Sequence, residues 1–244
     1  MKPIGIYSFP KSGNTWLRII LANVMGVDKA RIPDLHTQPF SDAVAFKGMR
    51  FFKLHAGKNI KRWQGQRLDT THVIHIRRNP LDVFVSYLNY ISDNVTGSAP
   101  IRFSSVDDIH GTPLFDMYFM TFVTMGHFAY GFAQNTRSYF EHNQYWTTQT
   151  EVPITLLRYE DMVHDTVAAL APVSKLIKID DVEMATAVAK ASQATKPDGK
   201  FFWKQRDRNF LSYLSDEQID MFLHYRGEEC RALGYPEQDF RRFA

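Results

Sequence analysis

The sequence predicts a three-layer α/β fold, with a central parallel sheet of about four to five strands and helices on both faces. Residues 4–16, Ile-Gly-Ile-Tyr-Ser-Phe-Pro-Lys-Ser-Gly-Asn-Thr-Trp, read as a short buried strand, a tight turn and the start of a helix. Met49 to His55, His72 to Arg77 and Ile154 to Arg158 are further short apolar or β-branched runs, each followed by a helical pattern. Strands that alternate with helices imply a parallel sheet covered on both sides. At 244 residues the chain fits one domain, 1–244.

The first strand runs into a phosphate-binding loop with Lys11 inside the turn. A loop that feeds a helix N-terminus offers backbone N–H groups without intrahelical partners and the positive end of the helix dipole, and both attract an anion. The fold is in that sense P-loop-like. Laid on residues 8–15, the nucleoside-triphosphatase pattern G-x-x-x-x-G-K-[ST] meets Ser8 in place of its first glycine and Asn14 in place of its lysine, while Gly13 and Thr15 match. The anion cradle is kept, and a triphosphatase is disfavoured.

Next along the chain, Ile74-His75-Ile76-Arg77-Arg78-Asn79-Pro80 ends a strand in two arginines. In nucleoside-triphosphate enzymes the strand beside the phosphate loop commonly ends in an aspartate that holds Mg²⁺. Arginines there suit a second phosphate, to which Ser86 adds a hydroxyl donor. From Leu81 to Ile91, Val83, Phe84, Tyr87, Leu88 and Ile91 recur at helical spacing, with Asn79 as N-cap and Pro80 in the first turn. Residues 93–113 read as an irregular excursion, and a long helical region rich in Phe, Tyr and Met follows from about Leu114 to Trp146. Helices are also expected over Asp161 to Ile177, Asp181 to Ser192 and Asp216 to Leu233, the last with Ser215 as N-cap, Gln218 at the third position and an exit at Gly234.

The net charge of +3, from 29 basic and 26 acidic residues, is too balanced for a dedicated nucleic-acid surface but allows a local basic pocket. Cys230 is the sole cysteine, which excludes an intrachain disulfide and a cysteine metal cluster and makes a reducing, cytoplasmic setting the default. No apolar run reaches the length of a membrane span and no signal segment opens the chain, so neither a membrane anchor nor secretion is expected. A monomer or homodimer is compatible with all of this.

These motifs together resemble the sulfotransferases that use 3′-phosphoadenosine-5′-phosphosulfate (PAPS). Pro10-Lys11-Ser12-Gly13-Asn14-Thr15-Trp16 is similar to that family's 5′-phosphosulfate loop, P-K-S-G-T-T-W, with Asn14 the one substitution. Arg78 to Ser86 is similar to the family's 3′-phosphate motif, in which the first Arg and the last Ser grip the ribose 3′-phosphate. Lys53-Leu54-His55 resembles its K-x-H, whose histidine is the general base, and Tyr159-Glu160-Asp161-Met162 resembles its Y-E-D-[ML], whose tyrosine lies near the adenine. The resemblance implies PAPS as donor, 3′-phosphoadenosine-5′-phosphate (PAP) as product, no metal requirement, and donor contacts from Lys11, Ser12, Gly13, Asn14, Thr15, Trp16, Arg78, Ser86 and Tyr159. The family's late basic triplet is absent. Lys196 has the matching spacing before Trp203-Lys204, Lys200, Lys204 and Arg206 supply charge, and Ser192-Gln193 stands where the family has the adenine-contacting Ser-Phe.

Moving a sulfuryl group to a hydroxyl needs an in-line acceptor oxygen, a base for its proton and a cation at the oxygen that gains charge. His55 is the candidate base, Lys11 the cation at the leaving phosphate, and Lys53 a neutraliser of the sulfuryl oxygens. His36, His72, His75, His110, His127, His142, His164 and His224 are expected as surface or satisfied core residues, and Glu160 and Asp161 as complements to a helix dipole. Phe9, Phe119, Phe122 and Tyr130 are candidates to line an apolar pocket for a small hydrophobic alcohol or phenol. Two rival readings are a P-loop small-molecule kinase and a catalytically inactive nucleotide-binding protein of the same fold.

Overall fold

A computed structural model describes residues 1–58, 60–92, 103–127, 136–194 and 206–242. Its strands are β1 (Lys2–Ser8), β2 (Ala45–Phe46), β3 (Met49–Leu54), β4 (Arg62–Trp63), β5 (Gln66–Arg67), β6 (His72–Arg77) and β7 (Ile154–Arg158). Five of them form one sheet in the order β2-β3-β1-β6-β7, all parallel except for the two-residue edge strand β2, which pairs antiparallel with β3. β4 and β5 make a separate hairpin.

β1 lies in the middle because residues 4–8 are buried on both faces, as a central parallel strand requires. Its register sets Ile6 beside Lys53 on one side and Ile74 on the other, and Ser8 beside Ile76. The C-terminal ends of β1, β3 and β6 therefore reach the same edge, the usual ligand edge of an open α/β sheet. Alternation decides which layer each side chain enters. Ile4, Ile6, Ile74 and Ile76 pack against Leu17, Ile20 and Leu21 on one face, while Tyr7, Phe52 and Val73 pack around Trp146 on the other.

The helices are α1 (Asn14–Met25), α2 (Pro80–Ile91), α3 (Val106–Ile109), α4 (Pro113–Met125), α5 (Tyr139–Thr148), α6 (Tyr159–His164), α7 (Thr166–Ala169), α8 (Ala171–Ile177), α9 (Asp181–Ala194) and α10 (Asp216–Ala232). The capping signals act as read: Asn79 accepts from Leu81 N–H at 3.0 Å, and Ser215 and Gln218 form a reciprocal capping box. The helical region expected over about 114–146 holds α4 and α5 among the described residues. α4 ends at Gly126, in the left-handed region at φ 68°, and α5 starts again with Ser138 and Glu141 as its own capping box. The 161–177 expectation likewise resolves into three short helices, broken where Asp165 is extended and caps α7. No helix among the described residues is long and apolar enough to cross a membrane.

Candidate active site

The loop between β1 and α1 turns through two left-handed residues, Lys11 at φ 69° and Gly13 at φ 100°. Gly13 is required twice over: a side chain there is strained at that φ, and its Cβ would lie 2.7 Å from Cδ2 of Tyr159. Ser12 is fully buried, and its hydroxyl has no hydrogen-bond partner among the described residues. Lys11 lays its ammonium over the ring of Tyr90, 4.5 Å from the centroid. Asn14 departs from expectation. Its amide points inward and donates to Ile6 C=O at 3.3 Å and Ser8 Oγ at 3.2 Å, so the side chain ties helix to strand and does not face the anion site.

Beside this loop, β6 delivers Arg78, which is 5% exposed. Its guanidinium stacks 4.1 Å from the Tyr159 centroid and donates to Lys11 C=O and Arg206 C=O, both at 3.2 Å. Burial works against that charge, but Tyr159, Asp82 and Glu160 hold the guanidinium protonated. Nε of Arg78 has no partner among the described residues. Asp82, fully buried, accepts from the backbone N–H of Arg208 at 2.8 Å and of Phe210 at 3.1 Å, which brings residues 206–210 against Arg78. Glu160 does more than complement a dipole: it accepts from Asn79 N–H at 2.7 Å and Tyr235 O–H at 3.2 Å, locking the ends of β6 and β7 together. Tyr139 completes the support by donating to Arg78 C=O at 2.5 Å.

At the end of β3, Nδ1 of His55 lies 2.7 Å from Ser8 C=O. A carbonyl only accepts, so the proton is on Nδ1 and the lone pair is on Nε2. Burial and the nearby Lys53 charge push the imidazole well below the usual histidine range, and it is neutral at neutral pH. Lys53 is not solitary: Nζ pairs with Asp34 Oδ2 at 2.7 Å. Burial lowers this ammonium to about 8, with Asp34 opposing the fall. For Asp34 itself burial opposes ionisation, but Lys53 outweighs it and holds the carboxyl below its ordinary range.

Thus the structure gathers Lys11, Ser12, Gly13, Asn14, Arg78 and Tyr159 around one loop, with Lys53 and His55 at the neighbouring strand end. Thr15 and Trp16 open α1, and Trp16 meets Tyr159 edge-on at 6.0 Å. Ser86 lies on α2, 6% exposed. Arg206 contributes its backbone carbonyl, while its Nε donates to Asn209 at 2.7 Å. Ser192 is exposed in the last turn of α9 and donates to Val188 C=O at 3.0 Å. Phe9, Phe119 and Phe122, the candidate pocket-lining residues, pack in the core here. They are 1%, 1% and 0% exposed, with Phe9 against Tyr87 and Tyr139, and the other two against Phe84. Lys196, Lys200, Lys204 and Tyr130 lie outside the described residues. Asp34, His36 and Tyr90 were not singled out as site residues in the sequence, since only the fold brings them to Lys53, His55 and Lys11.

The fold is that of a phosphate-loop α/β protein, and the candidate anion site brings together arginine, lysine and loop backbone. Among the described residues no cluster of His, Cys, Asp or Glu has metal-binding geometry. The sulfotransferase domain model matches residues 2–222, and the chain belongs to that family and is a sulfotransferase. Among solved structures, mouse sulfotransferase SULT7A1 complexed with PAP is similar at 18% identity, covering 96% of this chain and 87% of that one, with a TM-score of 0.61. Retinol dehydratase in complex with androsterone and the inactive cofactor PAP is similar at 13% identity, covering 95% and 82%, with a TM-score of 0.61. The same enzyme in a complex with retinol and PAP gives a TM-score of 0.56 at 13% identity, again covering 95% and 82%.

Proposed function

We propose that the chain transfers a sulfuryl group from PAPS to a hydroxyl of a small, hydrophobic acceptor by in-line displacement, with His55 as general base. The observation that carries this reading is the Nδ1 contact of His55 with Ser8 C=O at 2.7 Å, which leaves Nε2 as a neutral acceptor beside the phosphate loop. The residues present fit a bisphosphate donor: the buried Ser12 hydroxyl and Nε of Arg78 lack partners among the described residues, and Gly13 leaves no side chain over the loop. Lys11, Ser12 and the start of α1 would hold the 5′ side, and Arg78 with Ser86 the 3′-phosphate. Bound there, the donor supplies an activated sulfuryl group whose S–O bond to phosphate breaks as the acceptor O–S bond forms.

His55 takes the acceptor hydroxyl proton on Nε2 while the Ser8 carbonyl keeps its ring oriented. A site with an anionic donor beside it raises the basicity of His55 from its low resting value, so the base strengthens when it is needed. Lys11 leaves the Tyr90 face to stabilise charge on the departing phosphate, and Lys53 adds a second cation. The small-molecule acceptor class is supported by the androsterone and retinol complexes of the similar fold. A single cysteine fits a cytoplasmic setting. The test is sulfate transfer from PAPS to a panel of phenols and apolar alcohols, read by mass spectrometry. Transfer that His55→Ala abolishes supports the reading; equal transfer by both proteins refutes the base assignment.

A further inference from the structure

Residues 33–34 run beside Lys53 in parallel register, and the chain then turns, with the N–H groups of Thr37 and Gln38 donating to Asp34 C=O at 2.9 and 2.8 Å. Lys53 N–H donates to Pro33 C=O at 2.8 Å, Leu35 N–H donates to Lys53 C=O at 3.1 Å, and Asp34 and Lys53 form a parallel bridge. Asp34 thereby meets Lys53, and the turn that follows brings His36 to His55. Asp34 Oδ2 lies 2.7 Å from Lys53 Nζ and its Oδ1 accepts from His36 N–H at 3.2 Å. His36 Nε2 accepts from His55 N–H at 3.2 Å, and the two rings stack with centroids 5.8 Å apart. The segment is itself fixed from both sides: Arg18 donates to Ile32 C=O through Nε at 3.0 Å and Nη2 at 2.5 Å, and Trp63 Nε1 donates to Leu35 C=O at 3.0 Å. A D-x-H turn is fastened to the end of the K-x-H strand.

We propose that Asp34 is a positioning residue for transfer, the counter-ion that keeps the Lys53 ammonium charged and in place beside His55. The inference rests on the sulfuryl-transfer reading for the use of Lys53, and on the geometry alone for its hold by Asp34. The charged and titratable groups around the pair are His36 and His55 alongside, Arg18 from α1, Tyr90 from α2 and, next to His55, His142 from α5. Arg18 and burial both oppose the Lys53 charge, so Asp34 is the group on the other side of the balance. A buried ammonium that loses its carboxylate sheds its proton more readily. The charge needed on the sulfuryl oxygens then fails at lower pH.

The test compares the parent with Asp34→Asn and Asp34→Glu. Acetic anhydride labelling of Lys53 across pH, read by peptide mass spectrometry, gives the proton affinity of Lys53 without activity. The alkaline limb of kcat/KM for the acceptor reads its use. In Asp34→Asn both move to lower pH by about one unit or more, while Asp34→Glu, which keeps a carboxylate in reach, stays near the parent on both. Circular dichroism and PAP binding report that each variant is folded. A labelling profile unmoved in folded Asp34→Asn overturns the inference and leaves the transfer reading standing. A labelling shift with an unmoved alkaline limb overturns the role of Lys53 in transfer. Should Asp34→Asn fail to fold, an Asp34→Glu profile displaced as far as one unit overturns the counter-ion role.

Discussion

Replacing Gly13 by alanine tests the loop geometry on which the proposed 5′-side donor contacts depend. At φ 100° the new residue occupies a left-handed conformation that costs an L side chain about 1–2 kcal/mol. Its Cβ would also stand 2.7 Å from Cδ2 and 3.2 Å from Cε2 of Tyr159, well inside carbon–carbon contact. The ring has little room to yield, because Arg78 stacks on it at 4.1 Å and Trp16 abuts it. Overpacking of this kind adds about 1–3 kcal/mol, so the total is about 2–5 kcal/mol. For a chain of this size that lowers the melting temperature by about 5–15 °C, and local relief through the loop weakens PAP binding as well. Thermal unfolding and calorimetric titration with PAP measure both. Measured in a Tyr159→Ala background, the same substitution should fall to about 1–2 kcal/mol, because only the backbone term remains. A Gly13→Ala protein that melts within one degree of the parent and binds PAP equally well, with roughly zero cost, would refute the geometry.

Three other outcomes follow from the same site. His55→Ala should lower kcat by roughly 100- to 10,000-fold with PAP affinity retained. In the parent the acid limb of kcat/KM should lie below 6.5, since burial depresses the imidazole and activity is lost only as pH falls through that lowered value; an acid limb above neutrality would contradict the assignment. Asp82→Ala leaves buried Arg78 without its carboxylate and the N–H groups of Arg208 and Phe210 without their acceptor, a loss of about 3–5 kcal/mol. Chemical denaturation should show it, and a variant as stable as the parent would show that residues 206–210 are held some other way.

Much of the fold was legible because its signals are local. β6 and β7 coincide with the expected strands, and β3 ends one residue before His55. The capping residues Asn79 and Ser215 sit where the helices begin. Within the helical region expected over about 114–146, Gly126 and the Ser138–Glu141 box are the local signals that set the end of α4 and the start of α5. Asn14 shows a different limit: sequence names a polar side chain but not which way it turns, and here the nearest acceptors are Ile6 C=O and Ser8 Oγ. Phe119 and Phe122 lie against Phe84 of α2, a contact that composition alone does not specify. The Asp34 turn was least legible of all. Ile32-Pro33-Asp34-Leu35-His36 has no periodic signature, and its meaning exists only beside Lys53 and His55.

The central claim is that the loop at Lys11 and the arginine at the end of β6 bind a 3′,5′-bisphosphorylated adenosine. Calorimetric titration with PAP and with ATP, each with and without Mg²⁺, tests it directly. PAP should bind equally with and without Mg²⁺ and lose its binding in Arg78→Ala, with no comparable binding of ATP. Tight, Mg²⁺-dependent ATP binding without recognition of PAP would contradict it and favour a kinase.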